Sequence, residues 1–238
     1  MNETVRAWVD GWVVSRGAAP PVAAPWGCTV DVGESDHVTR HVLGATEDQV
    51  DEATVREVAD AVSGAGVWLK VFAEPARVTP WLGSGWWTNP ETGYLMSTPL
   101  ARGPVPPVPD GYRLRGWSRG GVTHVLVAAA DGSQAARGRI VPTGATAVAD
   151  RIETAPAHRR RGLGRFVMHT LAHTAVAQGA ETGVLAATPD GRGLYESLGW
   201  SVEARLTSSK FTGRTERTDR TEQTERTHRA QAESPAGV

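Results

Sequence analysis

The sequence predicts an α/β (α+β) fold in which a mixed sheet is flanked by helices. Two patterns carry that prediction. From Thr146 onward a strand, an amphipathic helix, a buried-type strand, a second helix and a final strand follow one another, an order that folds into a sheet covered by helices. Before them, strand-like runs are joined by the turns Asp131-Gly132 and Thr143-Gly144, which makes a meander.

The bulk properties set limits. The chain has 238 residues, 25 Lys and Arg against 26 Asp and Glu, and a net charge of −1. No overall field therefore draws it to nucleic acid or to a membrane, and any basic site must be local. Hydrophobic residues make up 40% and charged residues 21%, a globular composition. Cys28 is the single cysteine, so no internal disulfide forms and a reducing, cytoplasmic location is expected. The start, MNETVRAWVDGWVV, has no basic region followed by an unbroken apolar run, so neither a signal peptide nor a membrane span is expected.

The elements follow in order. Glu3–Ser15 reads as a short helix carrying Trp8 and Trp12, and WGCTVDV and HVTRHVLG read as strands joined by a polar turn. Asp51–Val62 is a helix with Val55, Val58, Ala59 and Val62 at helical spacing, stopped by Gly64 and Gly66, with an acidic first turn suited to the helix dipole. VWLKVF is an apolar strand, and the stretch from Val78 to Leu100 is dense in Trp, Gly and Pro. The proline-rich run Pro104–Pro109 builds neither ladder nor helix and serves as a linker. Beyond it come the strands YRLRGW, VTHVLVAAA, QAARGRIV and TAVADRIET, a helix Leu163–Gln178, the strand TGVLAAT, a helix from Asp190 or Gly191 through Leu198, and the strand WSVEARL. The chain thus divides into residues 1–100, a linker at 101–110, a second unit at 111–211 and a low-complexity tail at 212–238. The tail repeats Thr, Arg and acids with nothing apolar to bury, which predicts disorder.

One stretch asks for a ligand. Ile152–His173, IETAPAHRRRGLGRFVMHTLAH, sets Arg159, Arg160, Arg161 and Arg165 around Gly162 and Gly164 where a strand hands over to a helix. A helix start is already electropositive, so added arginines are unfavourable unless an anion arrives. A dinucleotide fingerprint fails because its third glycine would fall on Val167, and a phosphate loop of the Gly-Lys-Ser/Thr type fails for want of a lysine. Two readings remain: a solvated basic turn, or a diphosphate cradle built from backbone N–H groups and guanidinium groups.

Arg159-x-x-Gly162-x-Gly164 resembles the pyrophosphate loop (Q/R)-x-x-G-x-(G/A) of the GNAT superfamily of acyl-CoA N-acyltransferases. GRGLYESLGW, residues 191–200, is similar to the A-x-x-LYE-x-LGF segment of the same enzymes. The resemblance covers roughly Tyr112 to Phe211. It implies a GNAT-like mixed, mostly antiparallel sheet flanked by helices, acetyl-CoA as co-substrate, no metal, and direct transfer of acetyl to a small-molecule or peptide amine. By the same resemblance, Ile152, Glu153 and Thr154 end the strand that pairs with the pantetheine arm, and a neighbouring N–H polarises the thioester carbonyl. Arg159, Arg160, Arg161, Gly162, Leu163, Gly164 and Arg165 hold the pyrophosphate. Thr188 stands where many members carry an Asn that bonds the pantetheine. Tyr195 is implied as the general acid that protonates the departing thiolate.

The general base is open between Glu153 and a water chain. Strict strand alternation puts Glu153 on the face opposite Asp150, Ile152 and Thr154, and a local bulge would reverse that parity. His169 and His173 share a helical stripe, but no third metal ligand is identifiable, so they read as a solvent-facing pair. The pattern also breaks in one place. Most GNAT domains insert two helices between their first two strands, whereas only GWSRGG stands there here.

The first half is the obvious supplier of the missing wall. Its strand, strand, helix, strand order faintly echoes the second half, and LGATEDQVDEA before its helix is acidic, so it reads as a degenerate GNAT-like repeat that does not hold CoA. Trp81, Trp86, Trp87 and Tyr94 either line an acceptor pocket or pack a Gly-rich segment. Two competing functions remain: a CoA-binding module without turnover, and, more weakly, a nucleic-acid binder using the arginine turn and the tail.

Overall fold

A computed structural model describes residues 1–104 and 106–213. The tail expected at 212–238 therefore lies almost wholly outside the described residues. Helix α1 spans Glu3–Arg16. Asn2 caps it through its side-chain oxygen, and Gly17 closes it at φ 63°, in the left-handed region that glycine tolerates. Strands β1 (Val22–Ala24), β2 (Gly27–Glu34) and β3 (His37–Thr46) follow, then α2 (Glu52–Asp60) and β4 (Val67–Phe72). Asp51 is the N-cap of α2, accepting from the Thr54 amide.

A short helix α3 (Pro75–Val78) leads to β5 (Trp86–Thr88) and β6 (Gly93–Pro99). The second half comprises β7 (Tyr112–Arg119), β8 (Val122–Ala129), β9 (Gln134–Thr143), β10 (Thr146–Thr154), α4 (Leu163–Ala177), β11 (Thr182–Ala187), α5 (Pro189–Glu196) and β12 (Ser201–Phe211). The architecture is mixed α/β: β3–β4 and β10–β11 pair in parallel and the other ladders are antiparallel.

The strands run in the order β1-β2-β3-β4-β12-β6-β11-β10-β9-β8-β7, with β5 paired to β12 off this path. The final strands of the halves are thus exchanged. β6 of the first half lies against β11 of the second, β12 of the second half lies against β4 of the first, and β6 and β12 pair at the centre. One sheet runs through both halves, because each half leaves the edge of its parallel pair open and the other half's last strand satisfies it.

Helix α1 crosses the second half and lies on β9, β10 and β11. Gly11 makes this close approach possible: a Cβ there would sit 2.4 Å from Val148 Cγ2. On the opposite face α4 packs through Leu163, Phe166, Val167 and Leu171 onto Val125, Val127, Ala136 and Ile140. Gly138 of β9 allows that contact, since a Cβ would meet Val167 at 2.8 Å. The segment GWSRGG expected to separate these strands is mostly strand: Gly116–Arg119 extend β7 in register with β8, and only Gly120-Gly121 make the turn.

Candidate functional site

The parallel pair β10–β11 is bonded only from Thr146↔Thr182 to Val148↔Val184, after which the strands part. Beyond that point backbone groups facing the opening have no neighbouring strand, so the sheet presents a wedge. A bulge deepens it. Asp150 pairs with Arg139 and Glu153 with Arg137, so two residues of β10 oppose one of β9, and Arg151 takes φ 50°, a conformation unusual for a side chain of its size.

The bulge corrects the alternation expected from the sequence. Ile152 turns to the α4 side, where it packs with α4 and α5 residues. Asp150 faces α1, accepting from Ser15 Oγ at 2.6 Å and from Arg16 Nε and Nη2 at 2.7 and 2.9 Å. Glu153 is exposed and paired with Arg137 at 2.7 Å.

The arginine–glycine turn forms the start of α4. Gly162 is its N-cap at φ 78° with no side-chain cap, and no heavy atom lies within 4 Å of where its Cβ would be. Gly164 is glycine for a different reason: its Cβ would meet Leu194 Cδ2 of α5 at 2.9 Å, so it permits helix contact. Leu163 is buried beneath the turn.

Arg159, Arg160, Arg161 and Arg165 are all exposed. Arg159 Nε donates to the Thr154 carbonyl at 3.4 Å, Arg161 Nη1 to the Tyr112 hydroxyl at 3.2 Å, and Arg165 Nη2 to Ser197 Oγ at 3.4 Å. None of the seven salt bridges among the described residues uses these four arginines. The turn therefore gathers cations and free helix N–H groups with no internal anion.

The first half offers the contrast. At the start of α2 a recess of about 480 Å³ is lined by Asp51, Thr54 and Trp26, but the Asp51 carboxylate already accepts from the Thr54 amide and hydroxyl at 2.8 and 2.9 Å. Those hydrogen bonds hold the Asp51 carboxyl below the usual carboxylate range. Its helix start is filled by the protein's own anion.

Tyr195 of α5 is buried between Met168, Leu185 and Trp200, and Gly191 leaves room for its ring, Cε2 lying 3.1 Å from where a Cβ would stand. Burial, and then the Asp150 charge, push its phenol up to about 12, so it is protonated at neutral pH. Thr188 caps α5, its Oγ accepting from the Gly191 amide at 3.2 Å. Its hydroxyl is thus engaged in holding the helix.

On the α1 side of the wedge a cavity of about 220 Å³ lies between the halves. Ala149, Asp150, Ala187 and Thr188 form one wall, and Trp8, Trp12, Arg16, Arg40 and Lys70 the other. Glu153 does not line it and Asp150 does. Trp81 and Trp86 pack in the core beneath α2, and Trp87 is 47% exposed; Tyr94 packs with the Tyr195 cluster and under Arg192.

The aromatic wall therefore comes from α1, which the sequence marked as a helix bearing Trp8 and Trp12 without linking it to the site. Lys70 carried a readable signal, a lone charge inside VWLKVF. His169 and His173 are exposed, and no group of three metal-type ligands occurs among the described residues.

A sheet whose parallel pair opens over a helix start has counterparts among known proteins. Residues 121–202 match the family described as acetyltransferase (GNAT) domain. The matching segment is a GNAT-type acetyltransferase domain by this likeness. In fold it is similar to a GCN5-related N-acetyltransferase from Kribbella flavida, with TM-score 0.61 at 18% identity over 90% of this chain and 97% of that one. A tandem GNAT protein from the clavulanic acid biosynthesis pathway superposes with TM-score 0.51 at 17% identity, covering 89% and 95% of the two chains. A GCN5-related N-acetyltransferase-like protein from Streptococcus suis gives TM-score 0.50 at 13% identity over 73% and 79%. No curated protein matches the sequence. Among the described residues no helix is long and apolar enough to cross a membrane.

Proposed function

We propose that the protein transfers acetyl from acetyl-CoA directly to a primary amine, with the donor threaded through the β10–β11 wedge and the acceptor entering from the α1 side. The observation that carries this reading is the arginine–glycine turn at α4: a cation cluster and an uncapped helix start at the mouth of an opened parallel pair. Arg159, Arg160, Arg161 and Arg165 hold the pyrophosphate, with the backbone of Gly162, Leu163 and Gly164 completing the cradle. Ile152, Glu153 and Thr154 meet the pantetheine arm, and an N–H of that strand polarises the thioester carbonyl. Thr188, at the rim, orients the arm through backbone rather than through its engaged hydroxyl.

The chemistry balances without an acyl-enzyme. The amine nitrogen attacks the carbonyl carbon, the C–S bond breaks, and the thiolate takes the Tyr195 phenol proton. The proton lost by the amine nitrogen leaves through water toward Glu153, and the Tyr195 phenolate regains a proton from solvent, which closes the cycle. Acetyl-CoA supply places the reaction in the cytoplasm. The test is thiol release from acetyl-CoA over a panel of amines, read beside calorimetric binding of CoA. Turnover on at least one amine supports the reading. Tight CoA binding with no release on any amine favours a binding module without turnover.

A further inference from the structure

We infer that the acceptor is a small amine bearing its own anionic group, a carboxylate or a phosphate, and that Arg40 and Lys70 of the first half dock that group. The inference rests on the acyl-transfer reading and names its substrate class. Three cations from three elements of the first half face the cavity: Arg16 on α1, Arg40 on β3 and Lys70 on β4. Two carboxylates line it. Asp150 is consumed by Arg16 and Ser15, and Glu91 is exposed.

Arg40 and Lys70 are left with no carboxylate within salt-bridge distance among the described residues. Arg40 is only 7% exposed. Its Nε donates to His37 Nε2 at 3.2 Å, its guanidinium lies 3.7 Å from the Trp12 ring centroid, and its Nη1 is buried with no hydrogen-bond partner. Lys70 is 8% exposed, and its Nζ has the Trp68 face at 4.5 Å as its neighbour.

A buried cation without a counterion is unfavourable unless a ligand completes it. The titration behaviour agrees. Burial, and then the Arg40 and Arg16 charges, press the Lys70 ammonium well below its ordinary range. Burial and the Arg16 charge lower Arg40 to about 9, so it stays charged at neutral pH. His37 is driven to about 3 by burial and the neighbouring cations; it is neutral and accepts from Arg40 rather than opposing it. A simple polyamine would enter against this field. An amine with an anionic tail places the tail on Arg40 and Lys70, and its nitrogen toward Asp150 and the wedge. The apolar ring faces of Trp8 and Trp12 cover the atoms between.

The experiment uses matched probes on the full chain with CoA saturating, so that the α4 turn is already occupied. Thermal shifts are compared for N-acetylglycine against N-acetylglycinamide, and for O-phosphoethanolamine against ethanolamine. Lys70→Met keeps nearly the length of the side chain and removes a buried amine, so it should fold at least as stably as the parent. The inference predicts a shift from one anionic probe and not from its neutral partner, with the effective probe telling carboxylate from phosphate. In Lys70→Met the Kd of that probe should rise about tenfold or more. Equal shifts within each pair, no shift from any probe, or an anion-specific shift untouched by Lys70→Met would overturn it. An anion-specific shift with no thiol release on any amine overturns the transfer reaction while leaving the anion site standing.

Discussion

Arg16 and Asp150 join the first helix of the chain to the bulged strand of the second half through a two-pronged ion pair, Nε to Oδ2 at 2.7 Å and Nη2 to Oδ1 at 2.9 Å. The pair fixes α1 over the wedge and sets one wall of the cavity. Burial works against the Asp150 charge, but the hydrogen bonds from Arg16 and Ser15 outweigh it, so the carboxyl titrates below its ordinary value. A depressed folded-state value contributes stability above the unfolded carboxylate range, and that contribution is lost as pH falls through the folded value. Asp150→Asn should therefore cost about 1.5–3 kcal/mol at neutral pH, and the gap to the parent should close in acid. Urea unfolding at pH 7 and near pH 3 measures both. An unchanged midpoint at pH 7 would show that the pair only positions α1.

Tyr195→Phe isolates proton delivery. The phenol sits in an apolar cluster, so removing its oxygen should leave folding and acetyl-CoA binding nearly unchanged. The rate constant kcat should fall by roughly 10²–10⁴ if thiolate protonation limits the rate. A fully active Phe variant would assign that proton to water.

Gly162 separates strain from charge at the α4 start. Any side chain there is forced to φ 78°, a penalty of roughly 1–2 kcal/mol, yet it projects into open space. Gly162→Gln and Gly162→Glu share the strain and differ only in charge. The Glu variant should be at least as stable as the Gln variant, because its carboxylate meets the helix start and its arginines, while CoA binding by calorimetry should weaken for Gln and be abolished for Glu. Equal affinities would move the diphosphate away from this turn.

The strand exchange predicts the behaviour of fragments. A chain beginning at Arg102 loses β6, which separates β11 from β12, so β11 gains a bare edge and β12 loses its neighbours on both sides. Such a fragment should be insoluble or lack a cooperative unfolding transition by circular dichroism. A soluble fragment with the parental CoA affinity would show that β12 can return to β11 on its own.

Much of this molecule was legible in local sequence. The helix Leu163–Ala177, the strand Val67–Phe72 and the meander from Tyr112 to Thr154 follow from apolar period and turn residues, and the arginine–glycine turn stands out by its composition. Those features depend on neighbours a few residues away. What the tertiary structure decided depends on partners from other elements of the fold. Gly93–Pro99 lay in a stretch read only as dense in Trp, Gly and Pro, and became a central strand because β11 and β12 offered it two open edges. The bulge at Arg151 turned Ile152 toward α4, a reversal that alternation along one strand cannot forecast. Arg40 and Lys70 sit in ordinary strands by period, and only the exchange of strands brings them to face Asp150 across one cavity, because hydrogen-bonded edges of the two halves, rather than local propensity, determine which surfaces meet.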